Sequence, residues 1–176
     1  MGLFQPDRYL SNLASIDIKG DLIASGLTHV LLDIDNTVRS RETGDVPPPV
    51  RAWLARAREA GVAFCLLSNN WHADVLGFAE ALDMPIVAKA CKPLPFAYRG
   101  AMERIEGAKA DTVAIGDQIL TDVVGAHLVG LPAWLVMPLS EVDIRHTLML
   151  RNLERMMIGA RQPEGAPVAM EEGKVR

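Results

Sequence analysis

The sequence predicts an α/β domain with a doubly wound, parallel five-stranded sheet. Short, continuously apolar runs alternate with stretches of helical periodicity, in the order β-α-β-α-β-α-β-α-β. The runs are unbroken in polarity, as strands are when helices cover both faces of a sheet. Polar residues then follow the runs directly, at the edge where open α/β sheets bind ligands.

The first strand covers residues 29–34. Three prolines, Pro47, Pro48 and Pro49, open a helix over 50–60, where the missing N–H costs nothing, and Gly61 stands at its carboxyl cap. The second strand, 62–67, leads to a helix over 73–82, and the third, 85–88, to a helix over 95–105. The fourth, 112–115, leads to a helix over 120–128, and the fifth spans 133–137. One domain accounts for residues 1–160. Residues 161–176 (RQPEGAPVAMEEGKVR) mix Pro, Gly and charge without periodicity and read as a disordered tail.

Composition narrows the function. The chain has 176 residues, 49% of them apolar, enough for one core. Its 18 Lys and Arg against 22 Asp and Glu argue against bulk nucleic-acid binding, which needs a basic surface. Two cysteines make no disulfide framework, which points to the reducing cytoplasm. The longest apolar stretch, 131–139, is broken by Pro132 and Pro138 and is too short to span a bilayer.

Four strand ends carry chemistry. The first ends in Asp33-Ile34-Asp35-Asn36-Thr37, a close acidic pair of the kind a cation or a retained proton makes tolerable. The second ends in Ser68-Asn69-Asn70, the third is followed by Lys92, and the fourth ends in Gly116-Asp117, with Asp122 one turn on. Carboxylates, a hydroxyl and one lysine at a single sheet edge suit phosphoryl transfer. The acids make a hard oxygen site for Mg²⁺, a carboxylate can accept the phosphoryl group, and Lys92 and Ser68 can hold its oxygens.

These motifs resemble motifs I to IV of the haloacid dehalogenase (HAD) superfamily of phosphohydrolases. The strings DIDNT, LLSNN, KP and GDQILTD are similar to its subfamily IIIA, the YqeG-type group that includes phosphatidylglycerophosphate phosphatases. The resemblance runs from about Phe4 to Met157. It implies Asp33 as nucleophile and metal ligand, and Asp35 as general acid/base that binds metal through its backbone carbonyl. It further implies Ser68, Asn69 and Lys92 at the phosphate and Asp117 as the third metal contact. Thr37 and Asp122 then act behind these, Asp122 orienting Asp117 or a metal-bound water. Val38-Arg39 departs from the Leu-Val common after the motif-I Thr, which puts Arg39 at the pocket mouth.

HAD enzymes usually insert cap domains after motif I or between motifs II and III. Here only residues 38–46 and 71–91 lie in those intervals, too few for a cap. An open site fits a large or surface-bound phosphate monoester such as phosphatidylglycerophosphate. Met149, Leu150, Leu153, Met156 and Met157 line one helical face, with Arg145, Arg151 and Arg155 off it. That face suits its own domain, a second subunit in a homo-oligomer, or an anionic membrane surface, and residues 4–13 invite docking on the domain or on a membrane. His72 and His127 lie near the expected rim without an assigned role. A phosphatase of a soluble monoester, and a non-catalytic phosphoryl-accepting or scaffold module, are the competing readings. In receiver modules, however, the acceptor Asp follows the third strand, and no acid stands at the rim there.

Overall fold

A computed structural model describes residues 2–71, 74–140 and 161–165. Six strands, β1 (Arg8–Leu10), β2 (His29–Asp33), β3 (Ala63–Leu67), β4 (Ile86–Val87), β5 (Thr112–Gly116) and β6 (Ala133–Val136), form one parallel sheet in the order β1-β6-β5-β2-β3-β4. Four helices, α1 (Pro48–Glu59), α2 (Asp74–Ala81), α3 (Pro95–Arg104) and α4 (Val124–Val129), connect them.

Alternation along the central strands divides the core. Val30, Leu32, Phe64, Leu66, Val113 and Ile115 face α1 and α2, packing on Val50, Trp53, Leu54 and Val75. Leu31, Cys65, Leu67 and Ala114 face α3 and α4, packing on Ala97, Tyr98, Ala101 and Ala126. Both faces are therefore apolar, which is why the strands read as unbroken runs. Burial raises the Cys65 thiol to about 11, consistent with a packing role.

The sheet has six strands where five are expected. β1 is only three residues, RYL, too short and too polar for a periodicity signal. It is fixed from outside by pairing with β6, by the Arg8 guanidinium 5.0 Å above the Trp134 ring, and by ion pairs of Arg8 with Asp21 and Glu164. Residues 4–13 thus dock on the domain itself, with Leu10 and Leu13 buried. At the start of the expected tail, the chain lies against the sheet. Glu164 N–H donates to the Tyr9 carbonyl and its own carbonyl accepts from Ser11 N–H, both at 2.8 Å, so the chain at 161–165 runs beside β1. The expected Met-rich face (149–157), its arginines, His72 and residues 166–176 lie outside the described residues.

The helix expected at 120–128 is a wide turn over Ile119–Val123 followed by the shorter α4. Neither interval where a cap would insert holds a further domain among the described residues: 34–47 is a tight loop, and α2 fills the space between β3 and β4. The chain order reverses at β2, with β3 on one side and β5 on the other. That switch point opens a crevice at the carboxyl ends of β2 and β5.

Candidate active site

Asp33 closes β2, and the chain then turns tightly. The Ile34 carbonyl accepts N–H groups from Thr37, Val38 and Arg39, and Asn36 takes a positive φ of 66°, which Asn tolerates better than most residues. Asn36 also fastens the loop. Its Oδ1 accepts from Arg41 N–H at 3.0 Å and Ser140 Oγ at 2.7 Å, and its carbonyl accepts from Leu139 N–H. Asn36 carries no signal of this in the sequence, because it binds β6's exit to the motif, a contact no local pattern announces. Thr37 is buried beside it, and its hydroxyl has no hydrogen-bond partner among the described residues.

Three carboxylates converge at the crevice. Asp33 from β2, Asp117 after β5, and Asp122 from the turn over Ile119–Val123 offer oxygens all within 4.8 Å of one another. Asp122 approaches this closely because residue 116 is glycine: a Cβ there would overlap the Asp122 side chain. Lys92 answers them, its Nζ donating to Asp33 Oδ1 at 2.5 Å, Asp122 Oδ1 at 2.7 Å and the Leu67 carbonyl at 3.3 Å. Asp122 is thus Lys92's partner in the structure, a closer role than orienting Asp117.

The electrostatics follow from burial. Desolvation raises the Asp33 carboxyl to about 6, with Asp122 and Asp35 adding to the rise and Lys92 opposing it. Burial disfavours the Lys92 charge, yet Asp122 and Asp33 outweigh it and hold the ammonium well above its ordinary value. Burial likewise raises the Tyr98 hydroxyl, with Asp122 adding to it; that hydroxyl donates to the Thr121 carbonyl at 2.8 Å. Three carboxylates against one ammonium leave excess negative charge away from water. Hard oxygens in that arrangement fit a divalent cation, which would offset the excess.

The Asp35 carboxylate stands apart from this cluster. Its Oδ1 accepts from Arg39 Nε at 3.0 Å, and its Oδ2 from Asn70 Nδ2 at 3.4 Å. Arg39 continues to Asp74 at 3.0 Å and lies 5.0 Å over the Phe78 ring. The departure noted in the sequence is therefore a bridge from Asp35 to α2.

Ser68 and Asn69 are placed differently from one another. Ser68 is buried at the end of β3, its hydroxyl accepting from Asn70 N–H at 3.1 Å. The Asn69 side chain, expected at the phosphate, is spent elsewhere. Its Oδ1 accepts from Lys92 N–H at 2.7 Å and its Nδ2 donates to the Lys92 carbonyl at 3.1 Å. Both amide functions clamp the lysine's main chain, so Asn69 holds Lys92 in place. His127 is not at the rim: it bonds Asp7 and the Leu3 carbonyl at the opposite, amino-terminal edge of the sheet.

Comparison with known proteins places these features in context. A family model described as HAD-hydrolase-like matches residues 90–138, from before Lys92 to beyond β6. "Probable phosphatase YqeG" of Bacillus subtilis (strain 168) is 32% identical over 92% of this chain and 94% of its own length. In fold, the chain is similar to the cobalt-bound deoxy-D-mannose-octulosonate 8-phosphate phosphatase YrbI of Haemophilus influenzae (TM-score 0.54, 11% identity, 76% of this chain and 88% of that one). It is also similar to an uncharacterized protein of Listeria monocytogenes serotype 4b (TM-score 0.51, 15% identity, 72% and 99%).

Proposed function

The chain belongs to the HAD-like hydrolases and is a phosphatase, and from that premise we propose that it cleaves phosphate monoesters through a phosphoryl group carried on Asp33. The observation that supports this most is the convergence of Asp33, Asp117, Asp122 and Lys92 at one sheet edge. An Asp33 oxygen attacks phosphorus, the bond from phosphorus to the ester oxygen breaks, and Asp35 gives that oxygen its proton. Water then attacks the phosphorus, Asp35 takes a proton from it, and the acyl phosphate opens to inorganic phosphate and free Asp33. Lys92 and Ser68 hold the non-bridging oxygens, and Asn69 keeps the lysine aligned. Asp33, Asp117 and the Asp35 backbone carbonyl would hold Mg²⁺, which when bound offsets the charge of the phosphoryl oxygens.

The proposed substrate is a lipid phosphate, phosphatidylglycerophosphate, met at a membrane surface in the cytoplasm. One observation favours a surface-bound ester over a small soluble one. The intervals that would house a cap are closed by short loops and α2. Among the described residues, no helix is long and apolar enough to cross a membrane. A lipid headgroup cannot enter a closed pocket without drawing its chains from the bilayer, at about 0.8 kcal/mol per CH₂. A phosphate-release screen over lipid phosphates, sugar phosphates and nucleotides tests the assignment. Release from phosphatidylglycerophosphate that needs Mg²⁺ is expected; turnover of soluble esters alone would leave a phosphatase with a different substrate.

A further inference from the structure

We propose that the loops leaving β3 and β4 form a membrane-docking rim, with Trp71, Leu94 and Phe96 entering the interfacial layer of an anionic bilayer and Lys89 lying at headgroup level. The proposal rests on the lipid-phosphate reading and names the surface that would present such a substrate to the site. The three side chains are 68%, 50% and 59% exposed, and Trp71 and Phe96 are the two most exposed large apolar residues among the described residues. The two loops that lead to them are joined. Ala90 N–H donates to the Ser68 carbonyl, Asn69 clamps Lys92, and the Lys89 ammonium sits 5.0 Å over the Trp71 ring, so the two loops are tied together.

Their position links the surface to catalysis. Trp71 follows Asn70, which bonds Asp35, and Leu94 and Phe96 stand two and four residues after Lys92. Lys89 and Cys91 both adopt positive φ, 53° and 55°, in the loop that turns Lys92 inward. The apolar side chains lie on either side of that buried lysine in sequence, and a surface meeting them would meet the open crevice as well.

Charge selects the occupant. Between β4 and the middle of α3, Lys89 and Arg99 are exposed cations with no acid between them, Lys92 being spent on Asp33 and Asp122, in a chain of net charge −4. Basic residues beside an exposed Trp and Phe are the composition of an interfacial anchor, the cations drawing on anionic headgroups and the rings settling at their level. A second copy docked rim to rim would set Lys89 and Arg99 against their own like charges.

Tryptophan emission tests the proposal directly, because Trp53 and Trp134 are buried and Trp71 is the exposed reporter. The protein is mixed with vesicles of equal parts phosphatidylcholine and phosphatidylglycerol. The expected result is emission moving to shorter wavelength, together with co-sedimentation. Phe96→Ser and Trp71→Ser should each weaken co-sedimentation about tenfold, while a water-soluble aryl phosphate is hydrolysed at the wild-type rate. Three results overturn the rim: no shift and no sedimentation, variants that bind as wild type does, or a shift that arises with protein concentration alone and marks a contact between copies. The substrate reading fails separately. Docking without phosphate release from the lipid removes the substrate and keeps the rim; release from lipid in detergent without any vesicle binding does the reverse.

Discussion

Asp33 sits where two demands conflict, since burial disfavours its charge while Lys92 at 2.5 Å favours it. Its carboxyl titrates at about 6, above the ordinary carboxylate value of about 4. A folded-state value raised in this way contributes stability at low pH that is lost as pH rises through the folded value. In metal-free protein, Asp33→Asn should therefore raise the melting temperature at neutral pH, and the gain should shrink toward about pH 4. Thermal melts of both proteins across that range check this, and a gain independent of pH would count against it. Arg39 offers a second test. It holds the Asp35 carboxylate and is itself braced by Asp74 and Phe78. Arg39→Leu should slow hydrolysis of alkyl phosphates, whose leaving oxygen needs a proton, about 10–100-fold, and aryl phosphates much less. Equal losses on both would mean that Arg39 serves substrate binding or folding instead.

At the scale of elements, the strands legible in the sequence are those with an unbroken apolar run, and the helices those with a proline start or, as in α2, a helical apolar period. β2, β3, β5 and β6 are buried on both faces, and α1 and α3 open on prolines. β1 was not legible, because three residues carry no period and its place depends on β6 and on Glu164, far along the chain. The site shows the same division. Strand-end acids and Lys92 stand out as residue types, whereas Asn69's grip on Lys92 and Asn36's bond to Ser140 are long-range geometry. Two glycines belong to this class. Gly116 makes room for Asp122, and Gly125 makes room for the Tyr98 ring, whose hydroxyl holds the Thr121 and Asp122 carbonyls. Gly116→Ala should displace Asp122 from Lys92 and lower kcat. Gly125→Ala should cost about 1–3 kcal/mol of stability by overpacking against Tyr98. Denaturant titration and steady-state kinetics separate the two effects, and a fully active, fully stable Gly116→Ala protein would show that Asp122 need not lie there.

The whole molecule is a two-faced parallel sheet whose chain reversal between β2 and β5 gathers its acids at one edge. With no cap over that edge among the described residues, selectivity comes from what the rim meets rather than from an enclosing wall. Bulky and compact esters of equal leaving-group strength should then differ little in kcat/KM, which a short series of aryl phosphates matched in phenol acidity and varied in bulk can measure. The central claim is that Asp33 carries the phosphoryl group, and the most direct measurement is acid-quenched labelling during turnover. With a labelled phosphate monoester and Mg²⁺, the account predicts a hydroxylamine-sensitive phosphoryl group on the peptide containing Asp33, and loss of both label and phosphate release in Asp33→Asn. Undiminished phosphate release by Asp33→Asn, or label on another residue, would contradict it.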